Sequence, residues 1–448
     1  MKDLTTGNIY KTFIWFAIPM ALSGLLSQAY SIINTIIAGK LIGEAGLAAV
    51  GATAPLLDAI SSLFWGFCVG FSVYVANLFG AKQYLKIKES IITMYVALFV
   101  ATVTVGIIML IFNNQIFNLL NIENTIRNDV FKYFSVYMTG FFFIIFGQVS
   151  VAMINAFGIG KFPLYMSVLS TVLTISGNIV SVAVFDLGVM GLALSTVLAS
   201  VVITVMYIFE IKKIFKELGV HNEKIRLRFG VIKESFSYSG SAMMQQLIMY
   251  VAPLIISPFI NAIGSSATAA YTVVTRIYNI IASVYQNSAK TLSNYAAQCM
   301  GAKKYSQVKK GVYVGFFQGL MFIAPFLLIC VFGAKHTCML FFTKGSSGEA
   351  LNYAITFSVS FLPFIVFNVI NNLFHSFFRG VNAPACLLFS TIIGSVSRVL
   401  TSIYFIKSGY GMNGAYMGWV ASWIIEAVFV VYIYYSGRWK PIEMTNEI

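Results

Sequence analysis

Residues 71–84 read FSVYVANLFGAKQY, and residues 292–305 read LSNYAAQCMGAKKY. Gly80 and Gly301 stand 221 positions apart, close to half of the 448 residues. The same offset pairs Gly43 with Gly264, Ala48-Ala49 with Ala269-Ala270, Phe157 with Phe378, and Pro163 with Pro384. It slips to 223 where LGVMGLAL (187–194) answers YGMNGAYM (410–417). A repeat of this size in an apolar chain predicts two equivalent lobes, 1–222 and 223–448, with a site expected between them.

Composition decides the class. Hydrophobic residues make up 58% and charged residues 10% of the chain, and the mean hydropathy is +0.83. A soluble domain usually carries about 25% charged residues. The apolar runs at 89–111, 133–157 and 311–333 match the ~20 residues needed to cross a bilayer. They are continuous rather than alternating, which excludes a β-barrel. The sequence therefore predicts an all-α integral membrane protein with twelve spans. These are 12–36 (α1), 47–73 (α2), 89–112 (α3), 133–157 (α4), 163–185 (α5), 188–209 (α6), 235–259 (α7), 267–297 (α8), 311–333 (α9), 353–376 (α10), 384–406 (α11) and 411–435 (α12). Six spans per half make the repeats parallel. No small-residue cleavage site interrupts the first apolar stretch before Gly39, so a cleaved signal is not expected.

The formal net charge of +14 invites a nucleic-acid partner, but the placement of the basic residues argues against one. Of the 29 lysines and arginines, 20 fall on one side of the expected membrane, including Lys2, Lys82, Lys86, Lys88, Lys212, Lys213, Lys303, Lys304 and Arg379. The other side holds Lys40, Arg127, Lys132, Lys335, Lys344 and Lys407. The positive-inside rule then places both termini and the 210–234 loop in the cytoplasm. That loop reads as an exposed linker between the halves. The glycine of each GAK(Q/K)Y segment reads as the residue that lets its helix end tightly. The five cysteines show no metal spacing and read mostly as packing residues; only Cys330 and Cys338, astride the outer end of α9, are placed to meet.

Enzyme signatures are missing. His221, His336 and His375 are far apart, and there is no HExxH, P-loop or nucleophile elbow. No enzyme activity and no cofactor are expected. Polar residues inside the spans carry the argument instead, because each is costly in lipid. Two acids lie well inside: Asp58 in α2 and Glu426 in α12. Asp58 shares a face with Pro55, Ser61, Ser62 and Trp65; Glu426 shares one with Trp419, Ser422 and Trp423. An acid beside indole suits an organic cation, and a buried acid can carry a proton. The plain alternative is an interhelical hydrogen bond or ion pair. The polar stripe of α8 holds Arg276, Asn279, Ser283, Gln286, Asn287, Lys290 and Asn294, which predicts a cavity lining or a structural network. On α10, Asn368, Asn371, Asn372 and His375 share a face; α1 carries Tyr30 and Asn34, and α7 carries Gln245 and Gln246. His375 is either a pH-sensitive group or simply hydrogen-bonded.

These features together resemble the MATE family, the multidrug and toxic compound extrusion transporters of the wider flippase superfamily. The residues that carry the resemblance are IPMALSGLLSQAYSIINTIIAGKLIG (18–43), LAAVGATAPL (47–56), both GAK(Q/K)Y segments, GKFP (160–163), FFRGVNAP (377–384) and the Gly-rich starts of α6 and α12. The resemblance implies two six-helix bundles around a central cavity that open alternately to each side. It also implies export of organic cations in exchange for H+ or Na+. The usual coupling carboxylates are absent. One branch of the family has an aspartate where this chain has Asn34, and an Asn-x-x-x-Asp-Pro pattern where this chain keeps Asn178 but has Val182 and Ala183. The other branch uses acids in α7 and α10, where this chain has Ile248 and Asn368.

The expected function is a proton- or sodium-coupled exporter of amphipathic small molecules. The substrate and coupling candidates are Asp58, Glu426, Asn34, Tyr30, Asn178, Gln245, Gln246, Arg276, Asn279, Gln286, Lys290, Asn368, Asn371 and His375, with Na+ placed near Asn34 and Asn178. The alternatives are a flippase for an anionic or polyprenyl-linked lipid, with Lys290 and Arg276 as charge partners, a weakly coupled facilitator, and, from another class, a membrane sensor. The expected partners are a small molecule and the bilayer. The expected state is a monomer, in a bacterial cytoplasmic membrane.

Overall fold

The computed structural model describes residues 3–224, 226–342 and 348–440. Lys2 and Lys344, counted in the charge asymmetry, lie outside the described residues. Among those residues the chain is helix after helix, with no strand. The observed helices are α1 Ile9–Gly43, α2 Ala48–Gly80, α3 Tyr84–Ile111, α5 Lys161–Val184, α6 Gly188–Glu217, α7 Gly230–Asn261, α9 Tyr305–Phe332 and α10 Gly348–Gly380. The fourth span is the pair Arg127–Thr139 and Phe141–Ala156, bent by 50° at Gly140. The last two, α11 Pro384–Phe405 and α12 Gly411–Ser436, are joined by the turn Ile406–Tyr410. Helix α8, Ser265–Gly301, is 37 residues long, and its polar stripe makes it less apolar than the others. Every expected span is present, and most run a turn or two further than hydropathy alone indicates. The extra turns are polar ends that helical hydrogen bonding carries beyond an apolar core.

The internal repeat is visible in backbone geometry. Gly43 (φ 76°) and Gly264 (φ 136°) both take positive-φ conformations suited to glycine at the α1–α2 and α7–α8 junctions. The GAK(Q/K)Y turns superpose bond for bond. Gln83 N donates to Leu78 O at 3.0 Å, and Lys304 N donates to Cys299 O at 2.8 Å. The residue in the left-handed conformation is Lys82 (φ 58°) or Lys303 (φ 57°), not the glycine. That corrects the expectation for these segments: the lysines themselves close the helix.

The chain divides into two compact units, Met1–Asp3 with Leu25–Ser239, and Leu4–Gly24 with Gly240–Ile448. This differs from the lobes read from the repeat, 1–222 and 223–448, because each unit includes the opening turns of the other repeat's first helix. In the second unit Phe13, Phe16 and Met20 of α1 are buried with Leu292, Tyr295 and Phe377. In the first, the start of α7 packs on α2 so closely that a Cβ on Gly70 would lie 2.6 Å from Tyr238 O. Gly70→Ala is expected to destabilise the protein by about 1–3 kcal/mol, because backbone rather than a flexible side chain must yield. A detergent-solubilised thermal melt reads this, and an unchanged melting temperature would refute the close approach.

The linker is not the free loop its charge predicts. Lys88 is buried, and its Nζ donates to the carbonyls of Val220, His221 and Glu223 at 2.9, 2.9 and 2.7 Å. Lys86 pairs with Glu234 at 2.6 Å, and Arg228 N donates to Thr93 Oγ1 at 3.0 Å. The linker's carbonyls need donors once Val220 and Phe215 are buried, and the Lys88 ammonium supplies three of them. Cys330 and Cys338 are both free thiols. Each unit also exposes large apolar side chains along its helices, such as Ile107, Val172, Leu254 and Leu400. That is the surface a bilayer covers.

Candidate functional site

Polar residues of the second unit converge on Glu426. On α10 the spacing 368, 371, 375, 379 repeats every three or four residues, so Asn368, Asn371, His375 and Arg379 form one stripe. A π-turn at Phe357–Phe361 and a 3₁₀ turn at Leu362–Phe364, around Pro363, interrupt α10 before this stripe. Helix α12 carries Glu426 four residues beyond Ser422 and three beyond Trp423. Glu426 and His375 are 9% and 5% exposed.

His375 Nε2 stands 3.0 Å from Glu426 Oε1, in ion-pair range but off the line of a straight hydrogen bond. Asn371 Nδ2 bridges Glu426 Oε2 at 3.0 Å and Trp423 O at 3.1 Å. On the far side of the imidazole, Gln245 Nε2 of α7 is 3.0 Å from His375 Nδ1. Arg379 Nη2 donates to Gln245 Oε1 at 3.3 Å. The carboxylate is seated against Gly394 of α11, where a Cβ would lie 2.5 Å from its Cδ. Four helices thus hold one acid, and a buried acid in a membrane protein is retained only when so held.

A second string of bonds lies further along α8 and α10. Tyr285 OH donates to Asn368 Oδ1 at 2.9 Å, Asn372 Nδ2 reaches the same oxygen at 2.6 Å, and Tyr278 OH lies 3.3 Å from Tyr285 OH. Lys290 Nζ donates to Asn287 Oδ1 at 2.7 Å, and the charge of Arg379 acts on it. The indoles beside Glu426 are not an open cage. Trp419 is buried under the Arg398 guanidinium, 4.3 Å from its ring centroid, and Trp423 stacks on Tyr278 at 6.0 Å. The cation over the indole is the protein's own.

The first unit is built differently. Asn178 Nδ2 donates to Asn34 Oδ1 at 2.5 Å, while Asn178 Oδ1 is buried without a hydrogen-bond partner. Tyr30 is hydrogen-bonded towards Thr174 and Thr196. The pair is neutral, and no group of three His, Cys, Asp or Glu residues placed to hold a metal occurs among the described residues. Asp58 is exposed on α2, within electrostatic reach of Tyr133 and Tyr137, whose rings stack 6.1 Å apart.

The structure thus brings Glu426, His375, Asn371 and Gln245 together, joins Asn34 to Asn178, and gives Asn368 and Lys290 partners of their own. It does not bring in Arg276 and Asn279, which are exposed on the first half of α8, nor Gln246, which is half-buried; Gln286, also half-buried, hydrogen-bonds the side chain of Tyr285 in the second string. Arg379, Gly394, Tyr278 and Tyr285 were not singled out from sequence as site residues. Arg379 was legible as the next step of the α10 stripe; Gly394 had no signal, since its role is a contact across helices.

Two stretches, 19–180 and 241–403, match the family model MatE. The chain belongs to the MatE family. Each match covers the core of one repeat. Among curated relatives, the probable multidrug resistance protein YoeA of Bacillus subtilis (strain 168) is 23% identical, covering 98% of this chain and 96% of its own length. The multidrug export protein MepA of Staphylococcus aureus (strain N315) is 21% identical over the same shares. A MATE crystal structure in complex with MaL6 shares the fold at a TM-score of 0.87 and 20% identity, covering 98% of this chain and 97% of that one. The fold is therefore that of MatE transporters, twelve membrane helices in two repeats.

Proposed function

We propose that this chain is a secondary transporter of a bacterial cytoplasmic membrane. It exports amphipathic, mainly cationic small molecules in exchange for protons, by rocking-type alternating access. The observation that carries the reading is the buried His375–Glu426 contact, a titratable pair inside a MatE fold whose familiar acid positions hold Asn34, Val182 and Asn368. The names of YoeA and MepA support the substrate class. Protons are favoured over sodium because one side of the pair is an imidazole nitrogen, whereas hard cations prefer oxygen ligands. Asp58 supplies the carboxylate for the substrate's cation, with the Tyr133 and Tyr137 rings as its aromatic wall.

The test is uptake of a fluorescent organic cation into proteoliposomes under an imposed proton gradient and then a sodium gradient. Uptake driven by the proton gradient supports the reading; uptake driven by sodium alone refutes the choice of ion. Asp58→Asn is expected to weaken the cation's apparent affinity about ten-fold, roughly 1.4 kcal/mol, without abolishing transport. Equal affinity in both proteins would remove Asp58 from the site.

One observation favours a second reading, an exporter or flippase of anionic lipid. Lys290 and Arg379 place two basic side chains within electrostatic reach of each other in one unit. A substrate series of graded charge decides between them: preference for anions, lost in Lys290→Ala, would replace the first reading.

A further inference from the structure

The two amides beside the acid are each held by a group that hydrogen-bonds in one sense only. A guanidinium can only donate, so the Gln245 atom facing Arg379 at 3.3 Å is the oxygen. Gln245 therefore turns its N–H₂ towards His375 Nδ1, 3.0 Å away. An Nδ1 that accepts leaves the ring proton of a neutral imidazole on Nε2, facing Glu426 Oε1. On the other side a backbone carbonyl can only accept, so the Asn371 atom 3.1 Å from Trp423 O is the nitrogen. That nitrogen also donates to Glu426 Oε2. Oε2 accepts a hydrogen bond from Asn371, and Oε1 faces the Nε2 side of the imidazole at 3.0 Å, off the line of a straight bond; neither oxygen faces an acceptor, which is the arrangement of an ionised acid.

We propose that Arg379 and Gln245 are positioning residues that hold His375 neutral with its proton on Nε2, so that the exchangeable proton is carried by Glu426 and read out by the amide of Asn371. This rests on the proton-coupled reading above. A second proton on the imidazole would set Nδ1–H against the Gln245 N–H₂, and Gln245 cannot turn without setting that N–H₂ against Arg379. On loading, a hydronium gives its proton to Glu426 Oε2; an O–H bond forms, one water leaves, and His375 keeps its single proton. The new O–H faces the Asn371 N–H₂, so the amide turns. Its Oδ1, buried and without a hydrogen-bond partner in the present state, accepts the O–H, and the bond to Trp423 O is given up. The titratable and charged groups around the pair are Tyr278, Tyr285 and Lys290 of α8, Arg379 of α10 and Arg398 of α11. The hydroxyls of Tyr278 and Tyr285 are themselves bonded.

The experiment is spectroscopic and needs no transport. His221 and His336, both exposed and distant in sequence, are replaced by asparagine so that ¹⁵N-histidine signals report His375 alone. The same protein is followed by infrared difference spectroscopy between about pH 8 and pH 5. The expected result is a neutral imidazole throughout, with Nδ1 unprotonated, and a carboxylic-acid carbonyl band that appears on acidification and is absent in Glu426→Gln. In Asn371→Ala that band moves to higher frequency, because the acid loses its acceptor. Gln245→Glu, which stays paired with Arg379 but presents an acceptor to Nδ1, converts His375 to imidazolium, and Arg379→Met allows it to protonate on acidification. An imidazolium in the otherwise native chain, or no acid band dependent on Glu426, overturns the proposal. An unchanged His375 signature in both Gln245→Glu and Arg379→Met removes the positioning role. If the signatures hold while Glu426→Gln transports normally, the transport reading has failed and the tautomer assignment stands.

Discussion

Glu426→Gln is expected to reduce proton-driven uptake at least about ten-fold, the equivalent of about 1.4 kcal/mol of coupling, while leaving the protein folded. Glutamine keeps the volume of the side chain but not its chemistry. Both oxygens of Glu426 face donors, His375 at 3.0 Å and Asn371 at 3.0 Å. An amide meets one of those donors with its own N–H₂, and it cannot lose or gain a proton. The variant therefore stands in for the proton-loaded state alone. Exchange of labelled for unlabelled substrate across the membrane, with no gradient imposed, is expected to persist, because it does not require the acid to release its proton. The pair of measurements separates coupling from damage. Loss of both processes would mean that Glu426 is structural, and full gradient-driven uptake would mean that the proton is carried elsewhere.

The missing carboxylates give this result its significance. In the first unit Asn34 and Asn178 form a neutral pair, and in the second Asn368 is bonded to Tyr285 and Asn372. Neither position offers a charge for a proton to neutralise. The described second unit has instead drawn an acid from α12 into contact with a histidine of α10. The cost of burying that acid is offset by donors from α10 and by the absence of a side chain at Gly394 on α11.

Much of this architecture was legible in the chain. Continuous apolar runs set the helices, and the 221-residue offset set the repeat, because a bilayer leaves few ways to satisfy backbone polar groups. Glu426, His375, Asn371 and Gln245 were all nameable as polar residues in apolar spans, since such residues are rare for energetic reasons. Their assembly was not legible. Periodicity places a residue on a face of its own helix but says nothing about which neighbouring face it meets. Trp419 and Trp423 illustrate the limit: beside an acid in sequence they suggested an open cation cage, yet Arg398 and Tyr278 fill it. Arg379 illustrates another. Counted as one more inside charge, it turns inward to Gln245. Lys88 does the same at the linker, where the charge that marks topology also caps three carbonyls.

Gly394→Ala is expected to match Glu426→Gln in lost proton-driven uptake while leaving thermal stability close to native. A Cβ at this position would stand 2.5 Å from Glu426 Cδ and Oε2 and 2.7 Å from Oε1, well inside the contact distance of real atoms. What must yield is the far end of a flexible side chain, not backbone, so α11 and α12 keep their packing and only the carboxyl is displaced. The contrast with Gly70→Ala is the point of the experiment. There the obstructing atoms are the backbone of Ser239 and Tyr238, and the loss is expected in stability. At Gly394 the loss is expected in the geometry of one pair, since a shift of about 1 Å takes Glu426 out of reach of both His375 and Asn371. The measurement is a thermal melt together with gradient-driven uptake on the same preparation. A lowered melting temperature with normal uptake by the surviving protein would show that Gly394 serves packing alone. Native stability with uptake lost would show that transport depends on where that carboxylate sits, in a variant that leaves the acid itself unchanged.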